Sequence, residues 1–240
     1  MIQNIKIFEN NSEIAEEFAS TLKKLAANTS GKAIHIALSG GSTPKAIFKL
    51  LNEQYGKKLA YPNLHFWWGD DRCVPPTHND SNYKWANDLW LKPGGFSAKQ
   101  IHRVMGENEP DIEASRYSSE IAHYVEAENN IPVFDLILLG MGDDGHTASI
   151  FPNQMELLTK NSLCEVALHP QSGQKRISFT GKLINHARHV IFLATGRTKS
   201  EKVHEVIEKR NTDLPATHIK PTNGVLSWWL DSDSAKFIKQ

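Results

Sequence analysis

Three glycines, two carboxylates and a histidine fall within Gly140-Met-Gly-Asp-Asp-Gly-His146, directly after the apolar run Leu136-Ile-Leu-Leu139. Glycines at a strand end allow positive φ and close backbone approach to a ligand. Histidine is the side-chain type that takes and returns protons near neutral pH, so His146 is the candidate general base. The segment also spells G-x-G-x-x-G through Gly140, Gly142 and Gly145, the spacing of a dinucleotide-binding turn. A pyrophosphate there would face the charges of Asp143 and Asp144, and Pro152 interrupts the helix that should begin and run on. The dinucleotide reading is therefore rejected, and Glu165, about where a ribose-binding acid would fall, is a spacing common by chance.

Three further loops carry complementary chemistry. Ser39-Gly40-Gly41-Ser42-Thr43 offers backbone N–H groups, hydroxyls and a helix start, which together suit an oxyanion. No Lys-Ser/Thr pair follows in Walker arrangement, so a nucleoside triphosphate is not indicated. Asp70-Asp71-Arg72 places adjacent carboxylates beside a guanidinium that can hold a carboxylate or a developing oxyanion. Arg176, ahead of Ile177–Phe179, and Lys199, in Thr195-Gly-Arg-Thr-Lys199, add cations where phosphate binding is expected. Each loop alone reads equally well as a capped turn or a solvated salt bridge; their agreement on one ligand type makes the case.

The elements that must position these loops alternate along the chain. Strands are expected at Ile5–Phe8, Ile34–Leu38, Leu64–Trp68, Leu136–Leu139, Cys164–Leu168, Ile177–Phe179, Val190–Ala194 and Val225–Leu230. Helices are expected at Ser12–Ala27, from Pro44 with Ser42 or Thr43 as cap, and at Asn79–Leu89, Asp111–Asn129, Lys182–Ala187 and Ser200–Lys209. In the Asp111–Asn129 helix, Ile112, Tyr117, Ile121, Tyr124 and Val125 should point inward. Strands separated by helices imply parallel crossovers and a layered helix–sheet–helix α/β fold. No repeat, low-complexity tract or linker interrupts residues 1–240, which are read as one catalytic domain.

His35 and His65 fall inside strand patterns and read as hydrogen-bonded sheet histidines, while His78 either lines the pocket or sits in its loop. No His-Glu-x-x-His helix or Cys/His cluster is present, so neither metal nor coenzyme is called for. Ser149 lacks the Gly-x-Ser-x-Gly elbow of a serine nucleophile. The chain has 240 residues, 40% of them hydrophobic, with Lys plus Arg and Asp plus Glu both at 27. That balance argues against nucleic acid or an anionic membrane surface as partner. Cys73 and Cys164 stand apart without metal-type spacing, and Met1–Lys6 shows no leader. A cytoplasmic location is expected. The partner is then a small molecule.

Leu38-Ser-Gly-Gly-Ser-Thr-Pro44, Asp70-Asp-Arg-Cys-Val-Pro75, His78-Asn-Asp-Ser-Asn-Tyr83, Leu139-Gly-Met-Gly-Asp-Asp-Gly-His-Thr-Ala-Ser-Ile-Phe-Pro152, Arg176-Ile177 and Thr195-Gly-Arg-Thr-Lys199 resemble the ordered motifs of 6-phosphogluconolactonases. The resemblance runs from about residue 8 to residue 230. It implies a mostly parallel, Rossmann-like central sheet and hydrolysis of 6-phosphoglucono-δ-lactone in the oxidative pentose phosphate pathway, without metal or coenzyme. The chain departs from the family's usual Asp-Glu-Arg by having Asp71. For such a substrate His146 is the base toward water. Asp144 orients its ring or favours the imidazolium, and Arg72 stabilises the oxyanion or holds Asp70. Backbone N–H groups at Gly142–Gly145 are a second oxyanion candidate. Ser39, Gly40, Gly41, Ser42 and Thr43, with Arg176 and Lys199, take the phosphate. The rivals are a glucosamine-6-phosphate deaminase-type aldose–ketose isomerase and a non-catalytic sugar-phosphate sensor. Deaminases carry Asp-Glu-Tyr and Asn-Glu-Pro-Gly where this chain has Arg72 and Ile150-Phe-Pro-Asn153, and no helix-turn-helix region accompanies a sensor.

Overall fold

Ile34–Leu38 and Leu136–Leu139 are apolar at every position but one, a run that can be buried on both faces, and both become central strands. The computed structural model describes residues 3–27 and 31–239; Met1 and Ile2, part of the segment read above as lacking a leader, lie outside them. The main sheet joins β1 (Gln3–Phe8), β2 (Ile34–Leu38), β3 (Leu64–Trp68), β7 (Leu136–Leu139), β10 (His189–Ala194) and β11 (Val225–Asp231), all parallel, in the order β1-β11-β10-β7-β2-β3. From β2 the chain moves outward to β3, whereas from β7 it moves outward the other way to β10. The loops after β2 and β7 therefore part from each other. Such a switch point opens a crevice at the carboxyl ends of the strands.

Helix α1 (Asn11–Ala27) buries Ile14, Phe18 and Leu22 against the sheet, as the i, i+4 spacing requires. Helix α2 (Ser42–Tyr55) begins earlier than expected: Gly41 caps it without a side-chain bond, and Pro44 sits in its first turn rather than at its first position. The Asn79–Leu89 segment makes a shorter helix, α3 (Asn82–Ala86), capped by the Ser81 hydroxyl and followed by a π-helical turn over Asn87–Leu91. Helix α4 (Pro110–Tyr124) also stops short. Asn129 and Asn130 adopt φ of 53° and 63° there, allowing a tight hairpin between β5 (Ala127–Glu128) and β6 (Ile131–Pro132). Ile112, expected inward, is 65% exposed, and Tyr124 is exposed as well, while Tyr117, Ile121 and Val125 are buried. Helices α5 (Gly181–Ile184) and α6 (Ser200–Ile207) are shorter than their apolar patterns suggested.

A second sheet was not foreseen. β4 (Asp70–Arg72), β9 (Lys175–Phe179) and β8 (Cys164–Leu168) pair antiparallel in the order β4-β9-β8. It hangs from the end of β3 at Gly69, whose N–H donates to Leu38 O and whose carbonyl accepts from Phe179 N. Buried residues from both sheets form one connected hydrophobic core. Within it Trp67 donates its indole N–H to His35 Nδ1, and His65 shares a hydrogen bond with His102. Burial and the neighbouring histidines push His35 down to about 4, so it stays neutral as a sheet histidine. No helix among the described residues is long and apolar enough to cross a membrane.

Candidate active site

The crevice between β2 and β7 holds a cleft of about 300 Å³ lined by Ser39, Gly40, Gly41, Asp70, Arg72, Asn82, Gly140–Asp143, His146, Ala148, Arg176 and Lys199. All four loops singled out in the sequence reach it. The turn after β7 is closed by Gly142 N–H to His146 O at 2.9 Å and Gly145 N–H to Gly142 O at 3.1 Å. A Cβ at 142 would stand 2.1 Å from His146 Nδ1 and 2.6 Å from Asp144 Oδ1, so any larger residue there displaces those side chains. Pro152 opens a 3-10 segment after the turn.

His146 and Asp144 meet on this turn, Nδ1 to Oδ1 at 2.6 Å. A carboxylate only accepts, so Nδ1 carries a proton, and in the neutral ring Nε2 is the nitrogen that keeps its lone pair. Burial works to raise the Asp144 carboxyl, but the hydrogen bond and charge of His146 outweigh it and bring the group down to about 2. The imidazole packs 4.7 Å from the buried Phe151 ring, over which Arg176 also lies, 5.5 Å from the ring centre.

The two neighbouring aspartates do different things because strand residues alternate faces. Asp70 faces the cleft, and its Oδ2 accepts from Ser149 Oγ at 2.6 Å. Ser149 is thus a buried support for Asp70, which fits its lack of a nucleophile elbow. Asp71 turns away and accepts from the backbone N–H of Arg72, Asn82 and Tyr83 and from Ser81 Oγ. Burial pushes Asp71 up to about 6 despite those bonds. It clamps the start of α3 against β4.

Arg72 does not hold Asp70, one of the two roles considered above. Its Nη1 donates to Asp80 O at 2.6 Å and Asn82 Oδ1 at 3.1 Å, and it forms no ion pair among the described residues. Arg176 stands opposite it in the β4–β9 ladder and donates weakly to Ser149 Oγ at 3.5 Å. Burial lowers the Arg176 guanidinium, with Asp70 opposing and Arg72 adding to the effect. The buried Nε atoms of both arginines and Ser39 Oγ have no hydrogen-bond partner. All three residues line the same cleft. Lys199, ahead of α6, is held by Asp143 at 2.6 Å.

Ser42 and Thr43 stand outside the cleft lining. Ser42 is exposed in the first turn of α2, and Thr43 Oγ1 is committed to Thr195 Oγ1 at 2.6 Å, tying the β2 and β10 loops together. His78 is absent from the lining too, its Nδ1 accepting from Asp80 N within its own loop. Asn82, Asp143 and Ala148 line the cleft without having been assigned a role from sequence. Among the described residues no group of three or more His, Cys, Asp or Glu side chains is placed to hold a metal ion.

Residues 9–228 match the family of glucosamine-6-phosphate isomerases/6-phosphogluconolactonase, and the chain belongs to that family. The 6-phosphogluconolactonase of Haemophilus influenzae is 44% identical over 208 residues, 85% of this chain and 88% of that protein. A crystal structure described as that of devB protein superposes with a TM-score of 0.93 at 44% identity, covering 99% of this chain and 100% of that one. The 6-phosphogluconolactonase from Trypanosoma cruzi gives a TM-score of 0.87 at 28% identity, covering 100% and 98%.

Proposed function

We propose that the protein is a cytoplasmic 6-phosphogluconolactonase of the oxidative pentose phosphate pathway, acting as one catalytic domain. The observation that carries this reading is the Asp144–His146 pair, 2.6 Å apart at the mouth of a cleft lined by Arg72, Arg176 and Lys199. A lactone is an activated ester, so catalysis needs a placed water, a proton acceptor and a site for negative charge on oxygen. His146 Nε2 takes a proton from water as its oxygen bonds to C1. Asp144 holds the ring and stabilises the imidazolium. The C1–O5 bond then breaks, and O5 takes the proton from His146, giving the free acid of 6-phosphogluconate without a covalent intermediate. Arg72 meets the developing oxyanion; the N–H groups of Gly142 and Gly145, the second candidates for that task, are spent on closing their own turn. Gly40, Gly41, Arg176 and Lys199 hold the phosphate, with Asp143 releasing Lys199 to it.

Family membership alone covers both lactonases and isomerases. Arg72 in the cleft, and Phe151-Pro152 where a deaminase carries its later acid, favour the hydrolase. The test is turnover of freshly made 6-phosphoglucono-δ-lactone with spontaneous hydrolysis subtracted, beside glucosamine 6-phosphate. Turnover of glucosamine 6-phosphate alone would overturn the reading.

A further inference from the structure

The motif His78-Asn-Asp-Ser-Asn-Tyr83 contains, at Asn82, a residue to which the proposed reaction gives no task. Asn82 is only 4% exposed, yet it borders the cleft. Its backbone N–H and both side-chain polar atoms are committed. Its backbone N–H donates to Asp71 Oδ1 at 2.7 Å, its Nδ2 donates to Asp70 O at 3.0 Å, and its Oδ1 accepts from Arg72 Nη1 at 3.1 Å. It also lies directly beneath the first loop: a Cβ on Gly40 would fall 1.8 Å from Asn82 Oδ1.

These bonds fix the amide's orientation, because the face toward Asp70 must donate and the face toward Arg72 must accept. With Asp80 O, Asn82 occupies Nη1 and leaves the Nε of Arg72 buried and unpartnered beside the cleft. The acceptor is neutral, so the arginine is aimed without being neutralised. A carboxylate at this position would lose the bond to Asp70 O, repel that carbonyl and pair with the guanidinium.

We propose that Asn82 is the positioning residue that aims Arg72 at the bound anion while leaving its charge uncompensated. The assignment rests on the proposed lactonase reaction for its kinetic readout. Removing a hydrogen bond to a charged group implies that Asn82→Ala lowers kcat/KM about ten- to a hundredfold. Because Asn82 acts through Arg72, the same change made in Arg72→Ala costs less than about twofold more, the limit expected of fully coupled residues. An equal loss in both backgrounds makes Asn82 a structural residue and overturns the proposal. Asn82→Asp keeps the shape and serves if the alanine variant does not fold; it weakens binding of 6-phosphogluconate, whose C1 carboxylate stands where the oxyanion forms, about tenfold or more by calorimetry. Unchanged 6-phosphogluconate affinity in Asn82→Asp also overturns it. The calorimetric arm needs no turnover: 6-phosphogluconate binding that depends on Asn82 and Arg72 without lactonase activity refutes the reaction, and activity without the coupling refutes this assignment.

Discussion

Arg72 stands directly across the β4–β9 ladder from Arg176, and neither guanidinium forms an ion pair among the described residues. Like charges opposite each other on a sheet are unfavourable by up to about 1 kcal/mol. An anion between them reverses the sign. Inorganic phosphate should therefore raise the melting temperature, in proportion to about 2.7 kcal/mol at a hundred times its Kd. In Arg176→Gln the ligand-free protein should melt no lower than the parent, and the phosphate-induced rise should shrink. A parent unaffected by phosphate would count against the anion site.

The phosphate contacts themselves are tested by substrate choice. Lys199→Ala or Arg176→Ala should reduce kcat/KM for the phosphorylated lactone by about ten- to a hundredfold, the value of one charge-assisted bond. Poor activity on glucono-δ-lactone should change little. Equal losses on both substrates would move these residues from phosphate binding to chemistry or folding.

For the Asp144–His146 pair, His146→Ala should lower kcat by about 10²–10⁴ with circular dichroism and melting temperature preserved. Asp144→Asn should also reduce kcat, since the amide can present its N–H to Nδ1 and stabilise the wrong tautomer. Unchanged turnover in His146→Ala sinks the general-base assignment.

Asp71 makes stability depend on pH in a stated direction. Burial raises it from 3.8 to about 6, so between these values the folded chain binds more protons than the unfolded one. Its contribution is full below 3.8 and is lost as pH rises through 6. The stability of the parent relative to Asp71→Asn, from denaturant titrations, should increase as pH falls from 7 toward 4.5. A difference that stays flat with pH would show that Asp71 keeps an ordinary carboxyl.

The cysteines should be sluggish. Burial, with nearby carboxylates opposing ionisation, pushes Cys73 up to about 11 and Cys164 to about 12. The thiolate is the reactive form, so neither should react quickly with a disulfide reagent at pH 8 in the folded protein. Rapid labelling before unfolding would contradict this.

What could be read from the chain alone was local. Ile34–Leu38, Leu64–Trp68 and Leu136–Leu139 form strands with the boundaries their apolar runs suggested, because a strand buried on both faces needs only a short continuous run ended by turn residues. The Gly140–His146 turn was legible for a similar reason: glycine, carboxylate and histidine at that spacing have few bland explanations. The structure decided what depends on partners distant in sequence. Which of Asp70 and Asp71 faces the cleft follows from β4 being a strand, and β4 exists only because β9, more than a hundred residues on, pairs with it. The same pairing sets Arg72 beside Arg176 rather than Asp70. Asn82 became part of the site when α3 folded under Gly40. Ile112 faces solvent although its spacing allowed burial. Helical period specifies which residues share a face, but only the neighbouring layer decides which face is covered.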